Sequence, residues 1–253
     1  LQTGKIIGTV TAQGGSGPNG SGEAYGIMNS NGPITATSLD LTVIAKGGAG
    51  TEEATGVAKG LDNNGNSTIT TTSGANILTV QSFGGKSNST TETGNVSARA
   101  YGINNASQVN MSGTTTLAVN ATGGKPATMS GTDVYLADDA SAAAYGINNE
   151  GTNMGMGNLE FTEVKAKGGT GSNATAIASG MYNDTNNSSI TAGTINFVNV
   201  TATGGNASTT GNADATAYLL QINNGGNITA SGAITGTSAA VGGYGPTADA
   251  NAY

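Results

Sequence analysis

The sequence contains no histidine, cysteine or tryptophan, and only 9% of its 253 residues are charged. These absences remove imidazole bases, thiol nucleophiles, disulfides and the usual ligand sets of zinc and copper. The net charge is −7, with only eight lysine and arginine residues, so the chain lacks the basic character that a nucleic-acid-binding protein needs. We therefore expect no metal, no cofactor and no nucleic-acid partner.

Apolar residues are also scarce. Isoleucine, leucine, valine and phenylalanine make up 16% of the chain, below the level of about 20% at which disorder becomes common. Disordered chains usually combine that composition with high net charge, whereas here charge is sparse and the aliphatic residues recur in register. No apolar run approaches the ~18 residues of a membrane span, and the first ten residues do not form a signal peptide. These features favour a periodic fold built on small residues, with no membrane insertion by this segment.

An internal repeat organises the sequence. Gly-Gly pairs recur at intervals of 33 to 45 residues, with a mean of 38. Each pair closes a segment in which apolar residues alternate with polar ones, as in 39–43 and 117–121, and this alternation is typical of a strand with one buried face. The pairs begin at Gly14, Gly47, Gly84, Gly123, Gly168, Gly204 and Gly242.

A second motif, A-x-G-[ILMV]-x-N, recurs in phase with the Gly-Gly pairs. It occupies 24–29, 58–63, 100–105, 144–149 and 178–183, and a degraded copy begins at Ala217. A short segment that opens with Ile-Thr follows several copies. Abundant glycine, threonine and asparagine oppose helix. Units with so little apolar surface must stack on their neighbours to bury a core, so we predict one all-β parallel β-solenoid over residues 1–253. A period of about 38 residues fits one large coil or two smaller ones.

The second motif predicts ladders of identical side chains along the solenoid. Period-two geometry would place tyrosine and isoleucine together on one face, which we interpret as the core, with alanine and glycine on the other. Asparagine ends the motif where the chain must turn, and it can form side-chain ladders between stacked copies. The ladder residues are Tyr25, Tyr101, Tyr145, Tyr218, Ile27, Ile103, Ile147, Asn29, Asn63, Asn105, Asn149 and Asn183.

Candidate chemical sites are weak. The fifteen acidic residues are scattered, and the adjacent pairs Glu52-Glu53 and Asp138-Asp139 point to opposite faces of a strand, so no catalytic dyad is apparent. Thr-x-Thr triplets fall in different strands of the repeat, which argues against a flat ice-binding face. Sequons for N-glycosylation are twice as frequent as chance predicts, through either glycosylation or polar alternation along strands. The candidate glycosylation sites are Asn66, Asn88, Asn95, Asn120, Asn173, Asn199 and Asn227.

Both ends of the chain interrupt the repeat. It opens within the strand that precedes Gly14, and residues 250–253 begin another copy of the second motif. Native solenoids cap their ends to prevent edge pairing. Incomplete repeats at both ends therefore suggest either an excerpt of a longer protein or subunits that stack end to end.

The recurring pattern AYGINN…ITA…LxVxAxGG resembles the passenger regions of bacterial autotransporters and related large surface adhesins. The resemblance implies a right-handed parallel β-helix, export from the cell, and adhesive or scaffolding work at the cell surface, with no catalytic residues to transfer. We expect an extracellular structural or adhesive solenoid whose partners are itself or cell-surface ligands. The variable loops at 16–23, 86–97, 125–141 and 206–216 are the expected contact sites. The alternatives are a self-assembling filament subunit and, more remotely, a carbohydrate-active β-helix enzyme.

Overall fold

The computed structural model describes residues 1–87, 94–126, 139–185, 188–207 and 211–253. This part of the chain contains no helix. Strands account for 73% of it, and parallel sheets stack into a β-solenoid of about 6 turns. The all-β repeat fold predicted from the sequence is confirmed.

The described residues form twenty-two strands. In chain order the first eleven are β1 (Ile6–Gln13), β2 (Ser16–Asn19), β3 (Gly22–Ala36), β4 (Leu39–Lys46), β5 (Ala49–Glu53), β6 (Gly56–Thr71), β7 (Asn76–Phe83), β8 (Lys86–Ser87), β9 (Ala98–Asn105), β10 (Gln108–Thr122) and β11 (Lys125–Pro126). The remainder are β12 (Ala142–Asn149), β13 (Asn153–Lys167), β14 (Thr170–Gly171), β15 (Ala176–Asn183), β16 (Ser189–Ala192), β17 (Ile195–Thr203), β18 (Asn206–Ala207), β19 (Ala215–Ile222), β20 (Asn227–Ala230), β21 (Ile234–Val241) and β22 (Ala250–Ala252).

Each repeat forms one turn of the solenoid. Leu41 of β4 pairs with Leu78 of β7, and Leu78 pairs in parallel with Leu117 of β10. The partner of each residue therefore lies one full repeat further along the chain. This register decides between the two coil sizes that the sequence left open, in favour of a single coil of about 38 residues.

A turn consists of a strand carrying the A-x-G-[ILMV]-x-N motif, a short strand carrying Ile-Thr, and a longer strand that ends at the Gly-Gly pair. The motif strands β9, β12, β15 and β19 pair with one another in order. The long strands β1, β4 and β7 also pair with one another in order, and β7 pairs with the second half of β10. The solenoid interior lies between these sheets.

The core consists of columns, by which we mean residues that occupy the same position in successive turns. The long strands contribute a column of valines, all fully buried, at Val43, Val80, Val119, Val164 and Val200. Beside it, Phe161 and Phe197 stack with their ring centroids 4.6 Å apart. The alternation of the long strands thus produces a continuous apolar core, even though the chain has few large side chains.

The Gly-Gly pairs close the bases of the variable loops. A Cβ atom at Gly123 would lie 2.0 Å from the carbonyl oxygen of Ala140, where the loop returns to the solenoid. The next glycine, Gly124, donates its N–H to the carbonyl of Val96, 2.6 Å away. The two backbone segments cross so closely that no side chain fits between them, which explains why the pair recurs in each repeat. Parts of the predicted contact loops, 88–93, 127–138 and 208–210, lie outside the described residues.

Candidate functional site

The tyrosines of the repeated motif lie on the outer face, so the prediction that Tyr25, Tyr101, Tyr145 and Tyr218 face the core is wrong. In β9, Ala100 and Ile103 are fully buried, whereas Tyr101 is only partly buried. The alternation of inward and outward positions fails at the intervening Gly102. A Cβ atom added to this glycine would lie 2.5 Å from the side chain of Leu117 in the core. Two successive positions, Gly102 and Ile103, therefore face inward, and tyrosine and isoleucine end on opposite sides.

The isoleucine column is part of the core. Ile103 and Ile147 are fully buried and pair in register, and Ile27 is partly buried against the same cluster. The alanines that precede the tyrosines are buried in the same cluster, so alanine is also on the core side, contrary to the prediction. Small alanine next to a larger aliphatic residue leaves space for the side chains that arrive from the long strands.

The motif asparagines form a buried ladder through five turns. The Nδ2 group of each donates to the Oδ1 atom of the next, with distances of 3.2, 3.0, 2.8 and 2.8 Å. The ladder runs from Asn29 through Asn63, Asn105 and Asn149 to Asn183, and none of these residues is more than 5% exposed. Asn183 ends the series by donating to the backbone carbonyl of Asn227. The buried side-chain amides at this corner thus form hydrogen bonds with the equivalent asparagines of neighbouring turns.

The outer tyrosines also align along the solenoid axis. Tyr101 and Tyr145 stack with centroids 5.2 Å apart, and Tyr218 stacks on Tyr253 at 5.1 Å. Ser179 occupies the tyrosine position in the turn between Tyr145 and Tyr218. Serine at this position interrupts the aromatic column between Tyr145 and Tyr218.

Lysine replaces tyrosine in one turn of the column. The Nζ atom of Lys59 lies 5.5 Å from the ring centroid of Tyr25 and 5.8 Å from that of Tyr101. The same ammonium group forms an ion pair with Asp62 at 3.1 Å. A cation held between two ring faces preserves the stacking that a tyrosine would provide.

A second, outward-facing polar ladder runs beside the tyrosines. Asn148 donates to Asn104 at 2.8 Å, and Asn104 donates to Asp62 at 2.7 Å. Its donors point towards the amino-terminal end of the solenoid, whereas those of the buried asparagine ladder point the opposite way. Asp62 and Asn148 of this ladder are buried and Asn104 is partly buried, so the ladder lies largely covered beside the tyrosines.

Burial raises the pKa of three tyrosines of this row, Tyr25, Tyr101 and Tyr145. For Tyr25 the increase is from 10.0 to about 12, caused first by burial and then by the hydrogen bond to Glu23. Burial also raises the pKa of Tyr101 and of Tyr145, and their phenols remain neutral at physiological pH. These three tyrosines consequently contribute neutral hydroxyls to the row.

The candidate glycosylation sites differ in exposure. Asn66, Asn95, Asn173 and Asn227 are exposed, Asn120 and Asn199 are partly buried, and Asn88 lies outside the described residues. The amide of Asn120 donates to the Glu163 carboxylate at 2.7 Å. Four of the sites are therefore accessible, and glycosylation at any of them stays a prediction.

Stacking offers a physical source for part of the sequon excess. The backbone of Glu53 forms an isolated parallel β-bridge with Asn95, and that of Asp139 forms one with Asn173. These residues lie at equivalent positions at the base of the variable loops, so carboxylate and amide side chains alternate from turn to turn. Two residues later these four turns each carry a hydroxyl, and the hydroxyls of Ser141 and Thr175 are 2.8 Å apart. A polar column beside a hydroxyl column repeats the sequon pattern without any requirement for a glycan, which favours polar alternation as its cause.

A small cleft of about 280 Å³ combines three acidic side chains with one basic side chain, Glu23, Glu53, Asp139 and Arg99. Each carboxylate accepts a hydrogen bond from a hydroxyl two positions further along, at Tyr25, Thr55 and Ser141. Residues two apart share one side of a strand, so these bonds orient each carboxylate along its own strand. Within the described ranges, no group of three or more acidic residues lies close enough to hold a metal ion.

A longer groove follows the Gly-Gly pairs of the first four turns. Its volume is about 740 Å³, and the side chains that line it include Lys46, Lys86, Lys125 and Phe83. The glycines form its floor, and at every one of them except Gly15 an added Cβ atom would collide with neighbouring backbone. It is larger than the acidic cleft, and three lysines collect in it.

No protein-family model matches this chain, and comparison with curated proteins and with solved structures finds no match to it. In the part of the chain that the structure describes, no helix is long and apolar enough to cross a membrane. Function must therefore be argued from the surfaces described above.

Proposed function

We propose that this chain is an extracellular structural or adhesive β-solenoid, a stiff stalk whose polar faces and loops contact surfaces or partners. The observation that carries the proposal is the continuity of stacking. Backbone pairing, the valine column and the buried asparagine ladder each connect successive turns. About 6 turns, spaced by about 4.8 Å, give a rod of about 29 Å along its axis.

The composition of the outer faces supports a location outside the cell. Outward positions are occupied mainly by small polar residues. The resemblance of the repeat to autotransporter passenger regions points in the same direction. The proposal therefore includes export, surface display and an adhesin-like role.

Labelling of intact cells of the source organism tests this location. An antibody raised against the folded chain should label unpermeabilised cells or material attached to them. Labelling that requires permeabilisation would overturn the extracellular assignment. A cytoplasmic protein detected in the same samples controls for cell lysis.

Adhesion requires a separate measurement. Beads coated with the folded chain should be retained on cell or matrix surfaces under flow, whereas beads coated with the chain after irreversible heat denaturation should wash away. Equal retention of both would contradict an adhesive role and leave the structural one. Because the denatured chain has the same composition, the comparison isolates the contribution of the folded surface.

A filament subunit is the second candidate, and it rests on the exposure of inward-facing positions in β21. Ile234 is 45% exposed, although its partner Ile195 in the preceding turn is fully buried. A second copy or a further turn of the same chain would cover this position. Sedimentation over a range of concentrations distinguishes coverage by a second copy from coverage by a further turn of the same chain. Only a filament subunit forms polymers that lengthen with concentration. A chain that stays monomeric contradicts the filament version.

A further inference from the structure

The groove along the Gly-Gly pairs runs across the strands, parallel to the solenoid axis. Its floor is formed by the pairs 14–15, 47–48, 84–85 and 123–124. Four successive strands span about 14 Å, so the groove is long and narrow rather than round. Its shape suits a linear polymer lying along the axis better than a compact small molecule.

Positive charge is concentrated along this line. Half of the eight lysine and arginine residues of the chain adjoin a Gly-Gly pair, namely Lys46, Lys86, Lys125 and Lys167. All four are exposed. The ion pairs between described residues use other lysines, Lys5, Lys59 and Lys165. No carboxylate of the described residues lines the groove. In a chain with a net charge of −7, this is a local reversal of sign that can attract an anion.

The residues that follow the Gly-Gly pairs are already hydrogen-bonded, backbone to backbone, to the preceding turn. Lys86 donates its N–H to the carbonyl of Gly48 at 2.9 Å, and Lys125 donates to Gly85 at 3.1 Å. Recognition by strand addition needs an unpaired edge, so it is not available here. A ligand must instead interact with side chains: the ammonium groups, the amide of Gln13 and the partly buried ring of Phe83.

We propose that this groove binds a linear acidic polysaccharide, with carboxylate or sulfate groups on the lysines and a sugar face on Phe83. The inference rests on the proposed adhesive function, because it names the class of ligand through which adhesion occurs. Charged groups spaced along a sugar chain match lysines that are distributed over successive turns. Nucleic acid is disfavoured, since its dense charge would be repelled by the acidic remainder of the protein.

Binding to immobilised polygalacturonate and dextran sulfate, with neutral dextran as reference, tests the proposal. The unmodified chain should bind at least one acidic polymer, and binding should weaken as salt is raised. Two substitutions in the groove, Lys86→Gln and Lys125→Gln together, should weaken binding about tenfold, because the loss of each exposed charged contact weakens binding about threefold. The matched pair Lys5→Gln and Lys165→Gln removes the same charge elsewhere and should change binding less than about twofold.

Three outcomes would overturn the proposal: no binding to either acidic polymer, an equal loss in both double variants, or tighter binding to duplex DNA at the same salt concentration. Circular dichroism of every variant should show the same β signal, so loss of binding is not mistaken for loss of fold. Charge reversal, Lys86→Glu with Lys125→Glu, should abolish binding altogether. Labelling of intact cells is measured on the unmodified chain, so failure in the groove is distinguishable from failure of the extracellular assignment.

Discussion

The side-chain amide of Asn149 donates a hydrogen bond to the Oδ1 atom of Asn183, 2.8 Å away in the next turn. Asn149 itself accepts one from Asn105 at the same distance. All the amides of the buried ladder point in one direction, so their dipoles align and each bond polarises the next. The corner of each turn is thus held by a side chain of its neighbour, and the ladder couples turns that are far apart in sequence.

Replacing a central member of this ladder should destabilise the solenoid strongly. The substitution Asn149→Ala leaves buried hydrogen-bonding groups on Asn105 and Asn183 without their partner, at a cost of about 3 kcal/mol. Urea unfolding followed by circular dichroism measures the change. The exposed residue Asn66 provides the control, and Asn66→Ala should cost less than about 0.5 kcal/mol. Equal effects of the two substitutions would show that the ladder contributes little to stability.

The effect of adding a methyl group should differ between glycines of two Gly-Gly pairs. Gly123→Ala places a Cβ atom 2.0 Å from the carbonyl oxygen of Ala140, whereas nothing lies within 4 Å of a Cβ atom at Gly15. We expect Gly123→Ala to destabilise the fold by about 4 kcal/mol or more and Gly15→Ala to change it by less than about 0.5 kcal/mol. Thermal unfolding of both variants measures this difference. A cooperative transition at the unmodified temperature for Gly123→Ala would contradict the crossing of backbones described here.

One buried hydroxyl should be dispensable. Ser82 is 1% exposed, its Oγ atom has no hydrogen-bond partner, and its neighbours in the column are Ala45 and Ala121. Ser82→Ala removes an unsatisfied polar atom and should stabilise the protein by about 1 kcal/mol. Ser141→Ala, by contrast, removes a hydroxyl bonded to Thr175 and should be destabilising. Urea midpoints of both variants check the signs, and a loss of stability in Ser82→Ala would contradict this assignment.

Stability should decline at alkaline pH. The pKa of Tyr25 rises from 10.0 to about 12 on folding, and burial raises the pKa of Tyr101 and Tyr145 as well. The folded state therefore binds these protons more tightly than the unfolded state. The resulting stabilisation is complete below about pH 10 and is lost as pH rises through the folded-state values. Urea midpoints across this range, with tyrosinate absorbance recorded in parallel, measure the effect.

Substitution identifies the source of that decline. Tyr25→Phe removes one titrating group whose pKa is raised in the folded state, and it should reduce the slope of stability against pH relative to the unmodified protein. An identical slope in the two proteins would assign the alkaline loss to other groups.

Much of the architecture was predictable because repetition makes the same physical problem recur. The phase shared by the Gly-Gly pairs and the A-x-G-[ILMV]-x-N motif predicted a parallel solenoid, since units this poor in apolar surface must stack. The place of asparagine at the end of that motif predicted a corner. The side of the sheet on which tyrosine lies was predicted wrongly, because strict alternation fails at residues such as Gly102. That failure depends on Leu117, a core side chain of another strand, which no local pattern reveals.

The sequence by itself determined the period, the strand content and which residues recur in equivalent positions, because stacked identical turns place identical residues side by side. Only the tertiary structure decided that each repeat makes one coil, that Lys59 lies between Tyr25 and Tyr101, and that lysines collect along the Gly-Gly groove. Each of these results from the lateral register of strands about 38 residues apart. Register is set by packing between turns, and it becomes visible only when the turns are stacked.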